Sequence, residues 1–193
     1  MARHLAEVMS IKNELGRTIE SGILFLVPEL EPLVGSWRDK YDQSAREGFG
    51  AHVSLMVPFR PARLITDELV ADLQCFFASQ SLPQLEFGGI CGFPDAIYLP
   101  AEPEDAVRDI IAGLAERYPD TSPYGGTIPL QKIIPHVTVA HSLDPRELLT
   151  ISDAFCREAV ASLPIRAEVR EALLVVRDEA GTPRRRAALP FLV

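Results

Sequence analysis

The hydrophobic positions along the chain divide it into short apolar runs of strand length and longer segments with helical spacing. The run ILFLVP, which follows Gly22, is typical of a buried strand, and the next segment carries Leu33, Val34, Trp37 and Tyr41 on one helical face. The same patterns further along predict the order strand, helix, strand, helix, strand, strand, helix, strand, helix, strand, strand.

Residues at the predicted helix starts support this order. Pro32 suits the first turn of a helix predicted over residues 31–48. Thr66 stands before the periodic segment DELVADLQCFFA, and Asp144 stands before Pro145, which is the usual order of an N-cap and a first helical residue.

The predicted elements repeat once along the chain, since the third and the eighth are strands that each follow a strand and a helix. We therefore predict an α+β fold of two pseudo-symmetric lobes around a central cleft, each lobe with a small antiparallel sheet and helices on its outer face. In this prediction residues 21–193 form a single domain of two interleaved lobes, and residues 1–20 form an N-terminal arm.

The amino-acid composition limits the kinds of ligand and partner that we expect the protein to bind. Hydrophobic residues make up 47% of the chain and charged residues 24%, as in ordinary globular proteins. The formal net charge of −8 argues against a grip on extended duplex nucleic acid, which needs a basic face, but leaves room for a short nucleotide ligand. No apolar run is long enough for a signal peptide or a membrane span, and the cysteine spacing suits a reducing compartment. We expect a cytoplasmic monomer without a membrane partner.

Two of the four histidines occupy the same sequence setting. The chain reads AHVSLMVPF around His52 and PHVTVAH around His136. Because side chains two residues apart share one face of a strand, His52 should lie beside Ser54, and His136 beside Thr138. The valines between them would face the core, so we predict that the two imidazoles and the two hydroxyls converge on one cleft.

These side chains suit acid–base chemistry on a phosphodiester. With an ordinary pKa of about 6.5, one imidazole can be neutral and accept a proton from water while the other is protonated and supplies a leaving oxygen. The Ser54 and Thr138 hydroxyls can donate hydrogen bonds to phosphate oxygens. Such a set needs no metal and no other cofactor, so the residues predict a metal-independent phosphodiesterase.

The motifs HVSL at 52–55 and HVTV at 136–139 resemble the paired H-x-[ST]-x motifs of the two-histidine phosphoesterase superfamily, and within it the bacterial 2'-5' RNA ligase-like proteins. The likeness extends by order of elements over residues 21–193. It implies a bilobal α+β fold with a water-filled cleft. It also implies activity on 2',3'-cyclic phosphate RNA ends or small cyclic nucleotides, with reversible 2'-5' RNA ligation and a place in RNA processing.

The resemblance implies roles for single residues. It gives His52 and His136 the acid and base roles, and Ser54 and Thr138 the contacts to phosphate. It makes His136 the base for hydrolysis and His52 the acid, with the roles exchanged in ligation. Nothing in the residues themselves distinguishes the two histidines.

Other interpretations of the histidines stay open at this stage. A lone strand histidine is usually structural, and the same groove could hold a nucleotide or RNA end without turnover. A zinc site would need a third convergent ligand. His141 lies five residues beyond His136, so in an unbroken strand it would face the opposite side.

Further candidates for the groove are less defined. Tyr124 stands on the loop before the second motif and is a substrate-binding candidate, by stacking on a base or bonding a phosphate. Phe59 and Phe93 could line a base pocket or belong to the core. The basic run PRRR at 183–186 could approach an anionic substrate or form a solvated edge strand. Nothing in the sequence places Arg38 in the groove.

Overall fold

A computed structural model describes residues 19–192 of the chain. The predicted N-terminal arm therefore falls almost wholly outside the described residues. The strands are β1 Ser21–Leu26, β2 His52–Met56, β3 Gln84–Phe87, β4 Cys91–Phe93, β5 Ala96–Pro100, β6 His136–His141, β7 Ile165–Glu168, β8 Glu171–Arg177 and β9 Pro183–Pro190. The helices are α1 Glu31–Tyr41, α2 Gln43–Arg46, α3 Asp67–Ala78, α4 Glu104–Arg117 and α5 Pro145–Ala159.

The described strands form two antiparallel sheets, and the predicted α+β class is confirmed. The large sheet has seven strands in the order β4-β5-β6-β2-β1-β8-β9, and the small one pairs β3 with β7. The two histidine strands, β2 and β6, are neighbours at the point where the two halves of the chain meet. The observed sheet therefore differs from the prediction of one small sheet in each lobe. The pairing of β2 with β6 joins the strands of both halves of the chain into one large sheet.

The helices pack on one face of the large sheet. Side chains from α1, α3, α4 and α5 share one core cluster with the strand residues Ile23, Phe25, Val53 and Leu55. The opposite face carries a second, smaller cluster of Leu24, Leu173 and Val175, with Phe49 packed against it. This alternation along the strands is what the period of two predicts, and it separates a buried core face from a face that is open for a ligand.

Side-chain caps fix the starts of α2, α3 and α5. The Thr66 hydroxyl accepts a hydrogen bond from the Leu69 amide, and the Asp144 carboxylate accepts one from the Arg146 amide, so both predicted N-caps are confirmed. The helix predicted over residues 31–48 is interrupted at Asp42, which has an extended backbone and caps the short helix α2.

Candidate active site on the open face of the sheet

The two motif strands bring His52, Ser54, His136 and Thr138 onto one face of the sheet. Val53 pairs with Val137 across β2 and β6, and both valines are fully buried on the helix side. An antiparallel register through that pair sets His52 opposite Thr138, and Ser54 opposite His136. Directly opposed side chains have Cβ atoms about 4.5–5.5 Å apart, so the four groups form a compact square.

Each imidazole is fixed by a backbone carbonyl two residues before it. Nδ1 of His52 lies 2.8 Å from the Gly50 carbonyl oxygen, and Nδ1 of His136 lies 2.7 Å from that of Ile134. A carbonyl only accepts, so Nδ1 carries the hydrogen in both rings and Nε2 of the neutral ring holds the lone pair. The two histidines therefore offer the same ring nitrogen to a ligand.

Burial makes both imidazoles hard to protonate. His52 is 6% exposed. Its pKa is lowered to about 4 by burial and by the Arg38 guanidinium, against the opposing effects of the Gly50 carbonyl and Asp42, and the charge of His136 lowers it further. Burial also lowers the pKa of His136, assisted by the charge of His141 and opposed by the Ile134 carbonyl. A phosphate placed between the rings would restore the tendency of one of them to hold a proton.

Both hydroxyls are available to a ligand. Within residues 19–192 neither the Ser54 hydroxyl nor that of Thr138 forms a hydrogen bond to the protein, and both residues are half-buried. An anion above the square could therefore accept a hydrogen bond from either side chain.

A small open pocket adjoins His52 and Ser54. Its walls include the apolar side chains of Leu24, Val175 and Phe49. The Phe49 ring lies 5.7 Å from the His52 ring between centroids. The pocket is therefore a carbon-lined extension of the histidine site toward β1 and β8.

The charged groups at the rim of this pocket already have partners. The Glu20 carboxylate accepts a hydrogen bond from the Ala62 amide. The Arg177 guanidinium pairs with Glu47 and donates to the Gly181 carbonyl. The pocket therefore presents apolar surface to a ligand, and the charged side chains at its rim are bound to other groups of the protein.

Two aromatic rings flank the other histidine. Phe93 and Tyr98 stack with centroids 4.1 Å apart, and their centroids lie 5.2 and 5.0 Å from that of His136. Tyr98 pairs with Thr138 across β5 and β6, which places its side chain on the same face of the sheet. The sequence marked Phe93 as one of two alternatives but gave no signal for Tyr98, because their proximity to His136 depends on strand pairing.

The structure does not support the predicted substrate contact of Tyr124. Its side chain is 9% exposed and belongs to the main core cluster, and burial raises its pKa to about 12. The backbone of Tyr124 is left-handed, with φ of 52°, and its amide donates to the Val57 carbonyl, so the turn directs the ring into the core. Phe59 is also a core residue, packed edge-on against Tyr118.

His141 does not keep the orientation expected of an unbroken strand. Ile97 pairs with Ala140 while Tyr98 pairs with Thr138, so Val139 is an extra residue in β6. Val139 and Ala140 are both fully buried, and the bulge therefore returns His141 to the side of His136. The bulge leaves no mark in the sequence that the period of two would detect.

The basic run PRRR lies in β9 at the edge of the large sheet. Arg184 pairs with Asp178, Arg185 with Glu171, and Arg186 with Asp67. These pairs favour the edge-strand interpretation over a contact with substrate.

The described part of the chain contains no group of three or more His, Cys, Asp or Glu side chains arranged to hold a metal ion. None of the helices within residues 19–192 combines the length and the apolar character needed to cross a membrane.

The α+β fold, with each of the two motif histidines opposite a hydroxyl, agrees with what the resemblance to the two-histidine phosphoesterases implies. A family model described as the 2'-5' RNA ligase superfamily matches residues 26–181. The chain therefore belongs to the 2'-5' RNA ligase superfamily, and the family predicted from the sequence is confirmed.

Solved structures share this fold at low sequence identity. E. coli LigT complexed with NADP+ is 15% identical, with a TM-score of 0.54, and the match covers 90% of this chain and 98% of LigT. LigT complexed with 3'-AMP is 14% identical over the same shares, with a TM-score of 0.53. TT0787 of Thermus thermophilus is 16% identical over 89% of this chain and 97% of its own, with a TM-score of 0.54. No curated protein matches the chain.

Proposed function

We propose that this protein is a metal-independent phosphodiesterase that opens 2',3'-cyclic phosphates at RNA ends or in small cyclic nucleotides, and that the same site catalyses a reversible 2'-5' ligation, in which a 5'-hydroxyl takes the place of water and opens the cyclic phosphate. The observation that carries the proposal is the square of two imidazoles and two hydroxyls on β2 and β6. Membership of the 2'-5' RNA ligase superfamily supports the same class of reaction.

In hydrolysis, water attacks phosphorus on the side opposite the leaving ribose oxygen. A neutral imidazole takes a proton from the water as the new phosphorus–oxygen bond forms. The other imidazole, protonated, gives its proton to the ribose oxygen as the old bond breaks. The hydroxyls of Ser54 and Thr138 would donate to the remaining phosphate oxygens. At the end the two rings have exchanged protonation states, which is the starting state for the reverse reaction.

The pocket beside His52 supplies a place for the uncharged part of the substrate. Its apolar walls and its occupied rim charges suit a nucleobase rather than a second phosphate. The structures of LigT with 3'-AMP and with NADP+ are consistent with a small nucleotide as the ligand of this fold.

The direct test is incubation of the protein with a 2',3'-cyclic nucleotide, followed by separation of the nucleoside monophosphate formed. The isomer of the product identifies which ribose oxygen leaves. If the protein binds the cyclic nucleotide but forms no product at any protein concentration tried, it is a non-catalytic nucleotide or RNA-end binding module and not an enzyme.

We expect turnover to survive removal of divalent cations. Two imidazoles can carry out both proton transfers, so a chelator such as EDTA should leave the rate of cyclic phosphate opening unchanged. The measurement is the initial rate before and after dialysis against chelator. Loss of activity that a divalent cation restores would show that the proposed chemistry is wrong.

The pH profile of kcat/KM should be a bell displaced toward acid. This ratio reports the free enzyme, and it rises with pH through the pKa of the base and falls through the pKa of the acid. Burial lowers the pKa of both His52 and His136, so the maximum should lie below the ordinary histidine value of about 6.5. A maximum on the alkaline side of that value would contradict the assignment of both limbs to these histidines.

A further inference from the structure

The Arg38 guanidinium is enclosed between α1, α2, the loop before β2 and strand β6. The residue is 1% exposed, and it forms an ion pair of 2.7 Å with Asp42, one turn further along. It also donates to the Thr138 carbonyl at 2.8 Å and to the Ser44 hydroxyl at 3.1 Å. Two further bonds, of 3.1 and 3.2 Å, reach the Phe49 and Gly50 carbonyls.

Two of these acceptors belong to the histidine site. The Gly50 carbonyl is the group to which Nδ1 of His52 donates, so Arg38 and His52 share one oxygen. The Thr138 carbonyl belongs to β6, the strand that carries His136. A single side chain therefore connects the loop that orients one histidine to the strand that carries the other.

We propose that Arg38 is a positioning residue for the two-histidine site, which fixes the Gly50 carbonyl behind His52 and holds that loop in register with β6. The proposal rests on the proposed function for its catalytic consequence only. The planar fork of a guanidinium reaches several carbonyls in fixed directions, which the single ammonium of lysine cannot do. Burying a guanidinium and a carboxylate together gives little net stability, so the pair is better explained by the geometry it imposes.

The charge of Arg38 also lowers the pKa of His52, in addition to the larger effect of burial. The charged groups that act on His52 are Arg38 from α1, Asp42 at the junction of α1 and α2, and His136 from β6. Arg38 disfavours the imidazolium more than Asp42 favours it. Removing both members of the ion pair should therefore raise the pKa of His52, whereas a lysine at position 38 should leave it low.

The test combines proton NMR titration of the imidazole Hε1 signals with steady-state kinetics on a 2',3'-cyclic nucleotide. Four proteins are compared: wild type, Arg38→Lys, Arg38→Gln with Asp42→Asn, and a control, Arg117→Gln with Asp72→Asn. The control removes an ion pair between α4 and α3 that shares no hydrogen bond with β2 or β6 in the described contacts. It should match wild type in kcat/KM and in both histidine titrations.

The Arg38→Lys protein should lose kcat by about 10- to 100-fold with KM little changed, because misplacement of a reacting group by about 1 Å costs that order. Its His52 should still titrate at low pH. In the Arg38→Gln, Asp42→Asn protein, the pKa of His52 should rise toward the ordinary histidine value. A purely structural arginine would lower the folded fraction and the thermal midpoint without moving the titration of His52.

Wild type supplies a first check, since His52 should titrate below the ordinary histidine value of about 6.5. Titration of His52 at or above that value would overturn the proposal without any variant. An unchanged His52 titration in the double variant, with wild-type kcat in Arg38→Lys, would also overturn it. If the NMR shifts occur but no protein turns over any cyclic phosphate, the positioning role stands and the proposed function fails.

Discussion

Replacement of His52 or of His136 by alanine is expected to lower kcat/KM for a 2',3'-cyclic nucleotide by about 10²–10⁴-fold each, the usual effect of removing a positioned proton-transfer group. The reason is that the pairing of β2 with β6 brings two imidazoles to the site, which leaves each proton transfer to one imidazole. The two losses should not add in the double variant, because both rings serve the same step.

His141→Ala is the matched comparison on the same strand. The bulge at Val139 returns His141 to the side of His136, but its position in the register is opposite Ala96, away from the β2 and β6 pairing that forms the square. Its replacement should cost far less than either motif histidine. Thermal melting of all three variants identifies any loss that comes from unfolding. If both motif variants turned over every cyclic phosphate at nearly the wild-type rate, the proposal of a two-histidine enzyme would be wrong. The alternative of a non-catalytic binding module would then be favoured.

The sequence was sufficient wherever local periodicity decides the structure. The alternation in HVSL and HVTV predicts that His52 and Ser54 share a face, and so do His136 and Thr138, because the pleat of a strand has a period of two. The N-caps at Thr66 and Asp144 were predictable for a similar reason, since a cap bonds to an amide two or three residues away.

Features that depend on pairing between distant segments could not be read from the sequence. The alternation of buried and open side chains is the same whether a strand belongs to one large sheet or to one of two small sheets. The sequence pattern therefore does not reveal that β2 pairs with β6. The positions of Tyr98 beside His136 and of Arg38 behind His52 follow from that pairing and from the packing of α1 on β6.

Backbone irregularities account for the remaining differences. The left-handed conformation of Tyr124 sends its ring into the core, and a tyrosine gives little indication that it adopts this conformation. The extra residue Val139 reverses the orientation of His141, and valine is as ordinary in a bulge as in a regular strand. At Tyr124 and at Val139, the backbone of one residue changes which side chains lie on the open face of the sheet.

The different surroundings of the two histidines lead us to expect a division of labour opposite to the one that the family resemblance implies. The burial of His52 and the charge of Arg38 keep its ring neutral in the free protein, which suits the base of the hydrolytic direction. No arginine acts on His136 in the same way, and the charges that act on it are those of His141 and Asp42. We therefore expect His52 to accept the proton from water, and His136 to protonate the leaving oxygen.

A change of leaving group distinguishes the two assignments. A nitrophenyl phosphodiester releases a stable phenolate, which needs no proton from the enzyme, so the variant that lacks the acid should regain most of its loss on this substrate. We expect His136→Ala to be rescued and His52→Ala to remain slow. The measurement is the ratio of variant to wild-type kcat/KM on the nitrophenyl ester, divided by the same ratio on the cyclic nucleotide.

Each result of that comparison has a distinct meaning. Rescue of His52→Ala alone would restore the assignment implied by the family, with His136 as the base, and would show that bound phosphate outweighs the charge of Arg38 at His52. Rescue of neither variant would mean that no imidazole protonates the leaving oxygen. Rescue of both variants would mean that attack by water on this ester needs no base. The Arg38→Lys variant should then lose less of its rate on the nitrophenyl ester than on the cyclic phosphate. The reason is that the exact placement of His52 would matter only for the natural type of leaving group.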